Sequence, residues 1–505
     1  FPCFTLAKTL KKSPPACAVE LGAKLVLPQG VHEAYAAGPF LNFRFDRSEI
    51  VRDTLTNILS PQPAPRRPQT VIVEYSSPNI AKPFHVGHLR ATLIGNCLDR
   101  VYRKLGWNTV SINHLGDWGT QFGYVWAGCK LWGYPAEPTV ASLVELYRRA
   151  TALKEEQENR QGPDPDCSGD VNEIARGFFI DLEKGEDYAV DFWRRCVEIS
   201  LDYLKKTYQR LGVAFDHYTG ESFYSDKLEG VKQRLEASGL LVQSQGALGV
   251  ELGTELGFAR IYTPDGRSLY LTRDLATAIY RYETFRFDNA LYVVGAPQAL
   301  HFKQLKGVLR ALGLTYADRI THVAFGHVLG MKTRGAGDFI ELNEFLDEAY
   351  ERALDAYRSQ VTKRPEGLDE SEVARAVALA AILFSNLCRT NIKDVHFKWE
   401  HALEFQGDSG PYLLYACARI NGIKEKAAKA GIVYNPGARL DSLTEDSAYR
   451  LVQTLGGFVE VCEKTAAENE PALLANYALE LAKAFSQAYM ELKVVGEASD
   501  RAEAR

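Results

Sequence analysis

The sequence predicts an α/β protein: a doubly wound parallel sheet with a helical insertion, a small N-terminal α+β domain and an all-α C-terminal bundle. Three observations lead there. Between residue 70 and about 345, an apolar, β-branched run (Val71–Val73) and further strand-like runs (Thr109–Ile112, Ala290–Val294, Thr321–Phe325) alternate with helical patterns. Strands that alternate with helices are joined by crossovers and lie parallel. The stretch VIVEYSSPNIAKPFHVGHLRATLI, Val71 to Ile94, passes from such a run through turn-forming Ser76, Ser77, Pro78 and Asn79 into an amphipathic helix. Beyond about 346 the helical spacing is nearly continuous, clearest at Val373–Leu387 and Tyr477–Leu492.

In chain order, residues 1–60 hold a helical stretch from Leu6 to Leu25, the segment Gly38–Phe43, and a second helical stretch through Leu59. The run Pro61-Gln62-Pro63-Ala64-Pro65-Arg66-Arg67-Pro68 is a semi-rigid linker, which sets a boundary at 61–69. The central domain, 70–345, carries a charged, mostly helical insertion at about 130–235, with a soft segment at Glu158–Gly169. Residues 346–505 form the helical domain. A length of 505 residues suits about three domains.

Composition sets outer limits. With 46% hydrophobic and 24% charged residues the chain is an ordinary globular one. A net charge of −5 argues against indiscriminate nucleic-acid binding, although one basic surface suffices for a specific RNA. No apolar run approaches the roughly 20 residues of a membrane span. Nine cysteines are scattered without a C-x-x-C pair, so neither a disulfide framework nor a zinc site is expected, and a reducing compartment follows. The chain opens at Phe1 without an initiator Met, so a preceding segment is expected.

The junction at Val71–Ile94 carries the chemistry. A helix N-terminus presents N–H groups and a positive dipole end to phosphate, Gly87 removes a Cβ that would block the ligand, and His85 and His88 offer ring donors. The string SSPN-x-AKPFHVGHLR closely resembles the signature of arginyl-tRNA synthetases, within the class I aminoacyl-tRNA synthetases. That resemblance spans essentially the whole chain. It implies a Rossmann-like catalytic domain in which His85, Gly87 and His88 hold ATP. A second ATP element matches Leu329–Asp338, with Met331, Lys332 and Arg334 in a K-T-R form that lacks the class motif's second lysine. Lys82 stands where the family carries a lysine proposed to compensate, so the expected catalytic set is His85, His88, Lys82 and Lys332. The loop reads one residue longer than usual at Gly335–Gly337.

A guanidinium carries five donors and a permanent charge, so a site selective for it needs a buried carboxylate. Leu269-Tyr270-Leu271-Thr272-Arg273-Asp274 resembles the family's Y-x-x-R-D element, which makes Asp274 the first choice; Glu221, in Phe215–Ser222 where the chain is again similar to the family, is the second. Ser77, Pro78, Asn79, His88, Tyr270 and Gln298, the last in Tyr292–Gln298, complete the implied arginine contacts. Asn113-His114-Leu115-Gly116-Asp117-Trp118-Gly119-Thr120-Gln121 is expected to line the cleft, with helix capping the alternative for Asp117 and Gln121. Asp408, Gly410, Pro411, Tyr412, Tyr415 and Arg419 match the family's tRNA-contacting loop, with Ser409, Leu414 and Cys417 in place of the commoner Thr, Gln and His.

The resemblance implies arginine–tRNA ligation: ATP activates arginine to the adenylate, which passes to the 3′-terminal adenosine of tRNA(Arg). It also implies that activation requires bound tRNA, that Mg²⁺ enters with ATP rather than at a dedicated protein site, and that the protein is a monomer. The expected location is cytoplasmic, with a mitochondrial pool as the alternative. Relatives are expected to begin before Phe1 and to add a last helix after Arg505. A synthetase-derived, non-catalytic tRNA-binding or scaffold protein is the competing reading.

Overall fold

The computed structural model describes residues 1–496 except 29, 61–64, 83, 160–168, 245, 265, 331–339, 361–366, 433–439, 441, 442 and 444. Residues 61–64 of the predicted linker, most of the soft segment of the insertion, and the second ATP element with Met331, Lys332 and Arg334 apart from Leu329 and Gly330 therefore lie outside the described residues. Two compact units emerge, one of residues 1–63, 412–461 and 476–505, the other of residues 64–411 and 462–475.

In the first unit an antiparallel hairpin, β1 (Val31–Ala37) and β2 (Phe40–Phe45), packs on the helix Pro14–Lys24. The expected Leu6–Leu25 helix is two helices, Phe4–Leu10 and Pro14–Lys24. Lys11 turns left-handed at φ 50°, and Pro14, which lacks an N–H, suits only a first helical turn. Helix Arg47–Leu59 is capped by the Asp46 carboxylate, which accepts from the N–H groups of Ser48 and Glu49. It buries Val51 against Ala448 and Val452 of helix Asp446–Gly456.

The second unit is built on β3 (Thr70–Glu74), β4 (Asn108–Asn113), β5 (His217–Tyr218), β9 (Asn289–Gly295) and β10 (Ile320–Phe325), in the order β10-β9-β3-β4-β5, all parallel. All five residues of β3 are buried. Helices cover both faces of such a sheet, so a central strand such as β3 reads as an unbroken apolar run before Glu74. The core below joins Ile72, Val110, Ala290 and Ile320 to Leu275 and Leu305 of the helices Tyr270–Phe285 and Ala299–Ala311.

The insertion departs from expectation. Its helices Val140–Asn159, Val171–Lys184 and Asp187–Leu211 end before β5, so the chain rejoins the main sheet at His217 rather than near 235. A two-residue strand carries no period to read. A separate meander follows, β6 (Leu241–Ser244), β7 (Ala247–Glu251) and β8 (Phe258–Tyr262). Beyond it, β11 (Val328–Leu329) pairs in parallel with β12 (Val395–His396), a small interruption of the helical C-terminal region.

Candidate active site

The chain runs β3→β4→β5 to one side and then returns to β9 and β10 on the other. The order reverses between β3 and β9, and in open α/β sheets ligands bind beyond the strand ends at that point. The loop leaving β3 carries Ser76 at φ 73°, Ser77 at φ 47° and Ala81 at φ 56°. Non-glycine residues there cost about 1–3 kcal/mol each and persist only where neighbours enforce them. Here Ser76 Oγ meets the Tyr208 hydroxyl at 2.7 Å, and that hydroxyl accepts from Asn113 Nδ2 at 2.9 Å. The Ile80 N–H donates to Gly116 O at 3.0 Å, and the Gly116 N–H to Pro78 O at 3.1 Å. A Cβ on Gly116 would lie 2.0 Å from Asn79 Oδ1, so glycine lets these two loops meet. Pro78 is buried and Asn79 exposed. Ser77 Oγ is buried without a hydrogen-bond partner among the described residues.

His85 is the N-cap of helix Val86–Lys104, and the H-x-G-H tetrad forms a reciprocal capping box. The Gly87 N–H donates to His85 Nδ1 at 3.0 Å, and the His85 N–H to His88 Nδ1 at 3.3 Å. One ring nitrogen of each histidine is thus engaged by the helix terminus, which narrows the expectation of freely donating imidazoles. Because His85 Nδ1 accepts, its proton sits on Nε2. Burial lowers the pKa of His85 and takes His88 down to about 4, so both rings are neutral at pH 7. Gly87 has a second reason to be glycine: a Cβ would sit 2.7 Å from the His85 ring. Lys82 is half-buried, its Nζ 5.8 Å from the centre of the Tyr147 ring.

Three carboxylates gather at the ends of β4 and the helix Tyr270–Phe285. Glu221 opens a 3-10 turn, Glu221–Lys227, and its N–H donates to Leu115 O at 3.0 Å. Burial pushes its pKa up to about 7, against the opposing pull of Arg273, whose guanidinium donates to Glu221 Oε2 at 2.7 Å. The carboxylate expected to receive a ligand's guanidinium therefore already holds one from the chain. Asp274 lies 2.5 Å from His301 Nε2. Asp117, 5% exposed, accepts from the Ser222 N–H at 2.8 Å and the Ser222 hydroxyl at 2.6 Å. It stabilises the start of the Glu221 turn instead of capping the helix Gln121–Trp132, and Gln121 Nε2 donates to Gly116 O at 3.2 Å. Tyr270, the first residue of its helix, is 75% exposed, and Gln298 is exposed at the N-cap of Ala299–Ala311.

Beneath this layer Glu74, the last residue of β3, pairs with the fully buried Arg281, which also reaches His114 Nδ1 at 3.5 Å. Burial lowers the pKa of His114, leaving it neutral beside that guanidinium. Arg273, Arg281, Glu74 and His301 were not singled out from sequence. Arg273 sits inside the Y-x-x-R-D element and Glu74 is a charge ending an apolar strand, and both were available as signals. Among the described residues no group of three His, Cys, Asp or Glu side chains can hold a metal ion.

The expected loop at 408–419 is mostly helical, with Asp408 and Ser409 preceding helix Gly410–Lys429. Gly410 and Pro411 are buried, and a Cβ on Gly410 would lie 1.9 Å from Ala380 O, so packing requires glycine there. Asp408 is exposed, the Tyr412 hydroxyl lies 3.0 Å from Ser486 Oγ, and the Arg419 guanidinium is 4.3 Å from the ring centre of the half-exposed Tyr415.

Residues 1–45 match the arginyl-tRNA synthetase N-terminal domain, 51–399 the class I (R) tRNA synthetase catalytic domain, and 413–505 the DALR anticodon-binding domain. The chain is 37% identical over 510 residues to the arginine–tRNA ligase of Exiguobacterium sibiricum, spanning 99% of this chain and 88% of that protein. It is 38% identical over 515 residues to that of Pediococcus pentosaceus, with the same coverage of both chains. The solved Thermus thermophilus arginyl-tRNA synthetase superposes with a TM-score of 0.82 at 26% identity, covering 100% of this chain and 89% of that one. With the catalytic match covering more than half its length, and relatives this similar from end to end, the chain belongs to the arginyl-tRNA synthetase family.

Proposed function

We propose that this chain ligates arginine to tRNA(Arg) in two steps at the reversal point of its sheet. In the first, the arginine carboxylate attacks the α-phosphorus of ATP, and pyrophosphate leaves. In the second, the 3′-terminal adenosine hydroxyl of tRNA attacks the activated carbonyl, and AMP leaves. The protein contributes position and charge, with no covalent nucleophile.

The observation that carries this reading is the convergence of two chemistries at one sheet edge: a helix N-terminus with neutral ring donors, and a half-buried carboxylate group fit for a guanidinium. His85 and His88 would donate to ATP oxygens, supported by Gly87, Lys82 and, in the second element, Met331, Lys332 and Arg334. Asp274 and Glu221 would receive the guanidinium. Ser77, Pro78, Asn79, Tyr270 and Gln298 would orient the amino-acid end, the orphaned Ser77 hydroxyl gaining a partner there. Mg²⁺ arrives with ATP as part of the substrate and offsets phosphate charge. Asp408, Tyr412, Tyr415 and Arg419 would face the tRNA, aromatic rings stacking on bases while Arg419 meets the backbone. A monomer working in the cytoplasm is the setting we propose, in keeping with cysteines that are free among the described residues.

The test is arginine-dependent ATP–pyrophosphate exchange with and without tRNA(Arg). Exchange only when tRNA is present supports the reading. Folded protein that binds tRNA but exchanges in neither tube overturns it in favour of a non-catalytic homologue.

A further inference from the structure

The last helix of the insertion, Asp187–Leu211, reaches both sides of His85. On one side, buried Tyr208 bonds Ser76 and Asn113, which holds the strained loop leading toward the H-x-G-H tetrad. On the other, Tyr203, Thr207 and Arg210, spaced four and three residues apart on one helix face, meet the start of helix Leu342–Gln360. The Tyr203 hydroxyl donates to the Glu341 carboxylate, and Asn343 Nδ2 donates to Thr207 Oγ1 at 2.9 Å. Arg210 donates to Asn343 Oδ1 at 2.9 Å and to Asp347 at 2.6 Å.

Glu341 is more than a helix-end residue. It stands directly opposite His85 in an antiparallel bridge: the Val86 N–H donates to Ile340 O at 3.2 Å, and the Leu342 N–H to Phe84 O at 2.8 Å. The backbone of His85 is therefore set from one side by residues 340–342, and the Glu341 side chain is set by Tyr203. We infer that Tyr203 is a positioning residue for adenylate formation, acting through Glu341 to fix the backbone of His85 and so the aim of its Nε2 donor. Burial and the neighbouring Glu341 carboxylate hold the Tyr203 pKa well above the ordinary phenol value, so it remains a donor at any working pH. The pair lines a cavity of about 520 Å³ with Phe84, Val144 and Glu344, so loss of the bond leaves space into which Glu341 can swing.

The inference rests on the ligase reading, and the test separates the two. Steady-state pyrophosphate exchange with tRNA(Arg) present is measured for the parent, Tyr203→Phe, Glu341→Gln and Arg210→Ala. Tyr203→Phe removes one oxygen and keeps the ring. It is expected to raise the KM for ATP about tenfold and lower kcat severalfold, while the KM for arginine moves less than about twofold. Glu341→Gln keeps an acceptor and should show a smaller shift of the same kind. Arg210→Ala breaks the same helix pair farther from His85 and should leave the KM for ATP within about twofold. An unchanged KM for ATP in both Tyr203→Phe and Glu341→Gln overturns the inference, as does an equal rise in both KM values or an equal effect of Arg210→Ala. A parent without exchange overturns the ligase reading itself.

Discussion

The proposed role of Glu221 predicts that arginine capture depends on pH. Its side chain is 14% exposed, and burial raises its pKa to about 7 although Arg273 lies 2.7 Å away. A protonated carboxyl cannot pair with a second guanidinium, so binding follows the ionised fraction. With a pKa of about 7 that fraction is roughly one-eleventh at pH 6 and ten-elevenths at pH 8, a change of about tenfold. The KM for arginine, measured in tRNA-dependent exchange at fixed saturating ATP, should fall about tenfold between pH 6 and pH 8. Glu221→Gln should bind arginine weakly and show no such slope. A flat profile in the parent, or the same slope in Glu221→Gln, would refute the assignment. The same shift has a consequence for stability. A carboxyl with a raised pKa favours the fold while neutral, so its contribution is full below about pH 4.5 and is lost as pH climbs through 7. The loss is on the order of 3 kcal/mol, and arginine binding should restore part of it, seen as a larger ligand-induced Tm shift at pH 8 than at pH 6.

Asp274→Ala removes a charged acceptor worth about 1.5–3 kcal/mol, so the KM for arginine should rise about ten- to a hundredfold with the KM for ATP unchanged; equal arginine affinity in variant and parent would sink the guanidinium assignment. Arg281→Met strands Glu74 without its counter-ion at the end of β3 and should destabilise the fold by about 3–5 kcal/mol, read as a drop in the denaturant midpoint. His88, held neutral by burial with a pKa of about 4, contributes stability that is complete above about pH 6.5 and is lost as pH falls through 4. That is about 2–3 kcal/mol of acid sensitivity, which His88→Gln should remove; an identical pH–stability curve in the variant would contradict it.

β3 was legible because burial on both faces leaves an apolar run, and β4, β9 and β10 because strand-like runs recur between helical patterns. The break at Lys11–Ser13 was missed because apolar spacing alone draws Leu6–Leu25 as continuous, although Pro14 suits only a first helical turn. β5 escaped because two residues have no period and belong to the sheet only through pairing with Ile112 and Asn113.

The site divides in the same way. Sequence put forward His85 and His88 from a helix terminus after a strand, and Asp274 and Glu221 through resemblance to the family's motifs. It could not name their partners: Glu221 finds Arg273 across 52 residues, Asp274 finds His301 across 27, and Glu74 finds Arg281 across 207. Burial, and with it the direction of every pKa shift, depends on what the sheet order brings together. By itself the sequence offered candidates for accepting a guanidinium or facing a phosphate, through side-chain chemistry, a strand-to-helix junction and resemblance to family motifs. Only the tertiary structure decided which are ionised, which are already paired and which strut holds them, because those depend on distance and desolvation between segments remote along the chain.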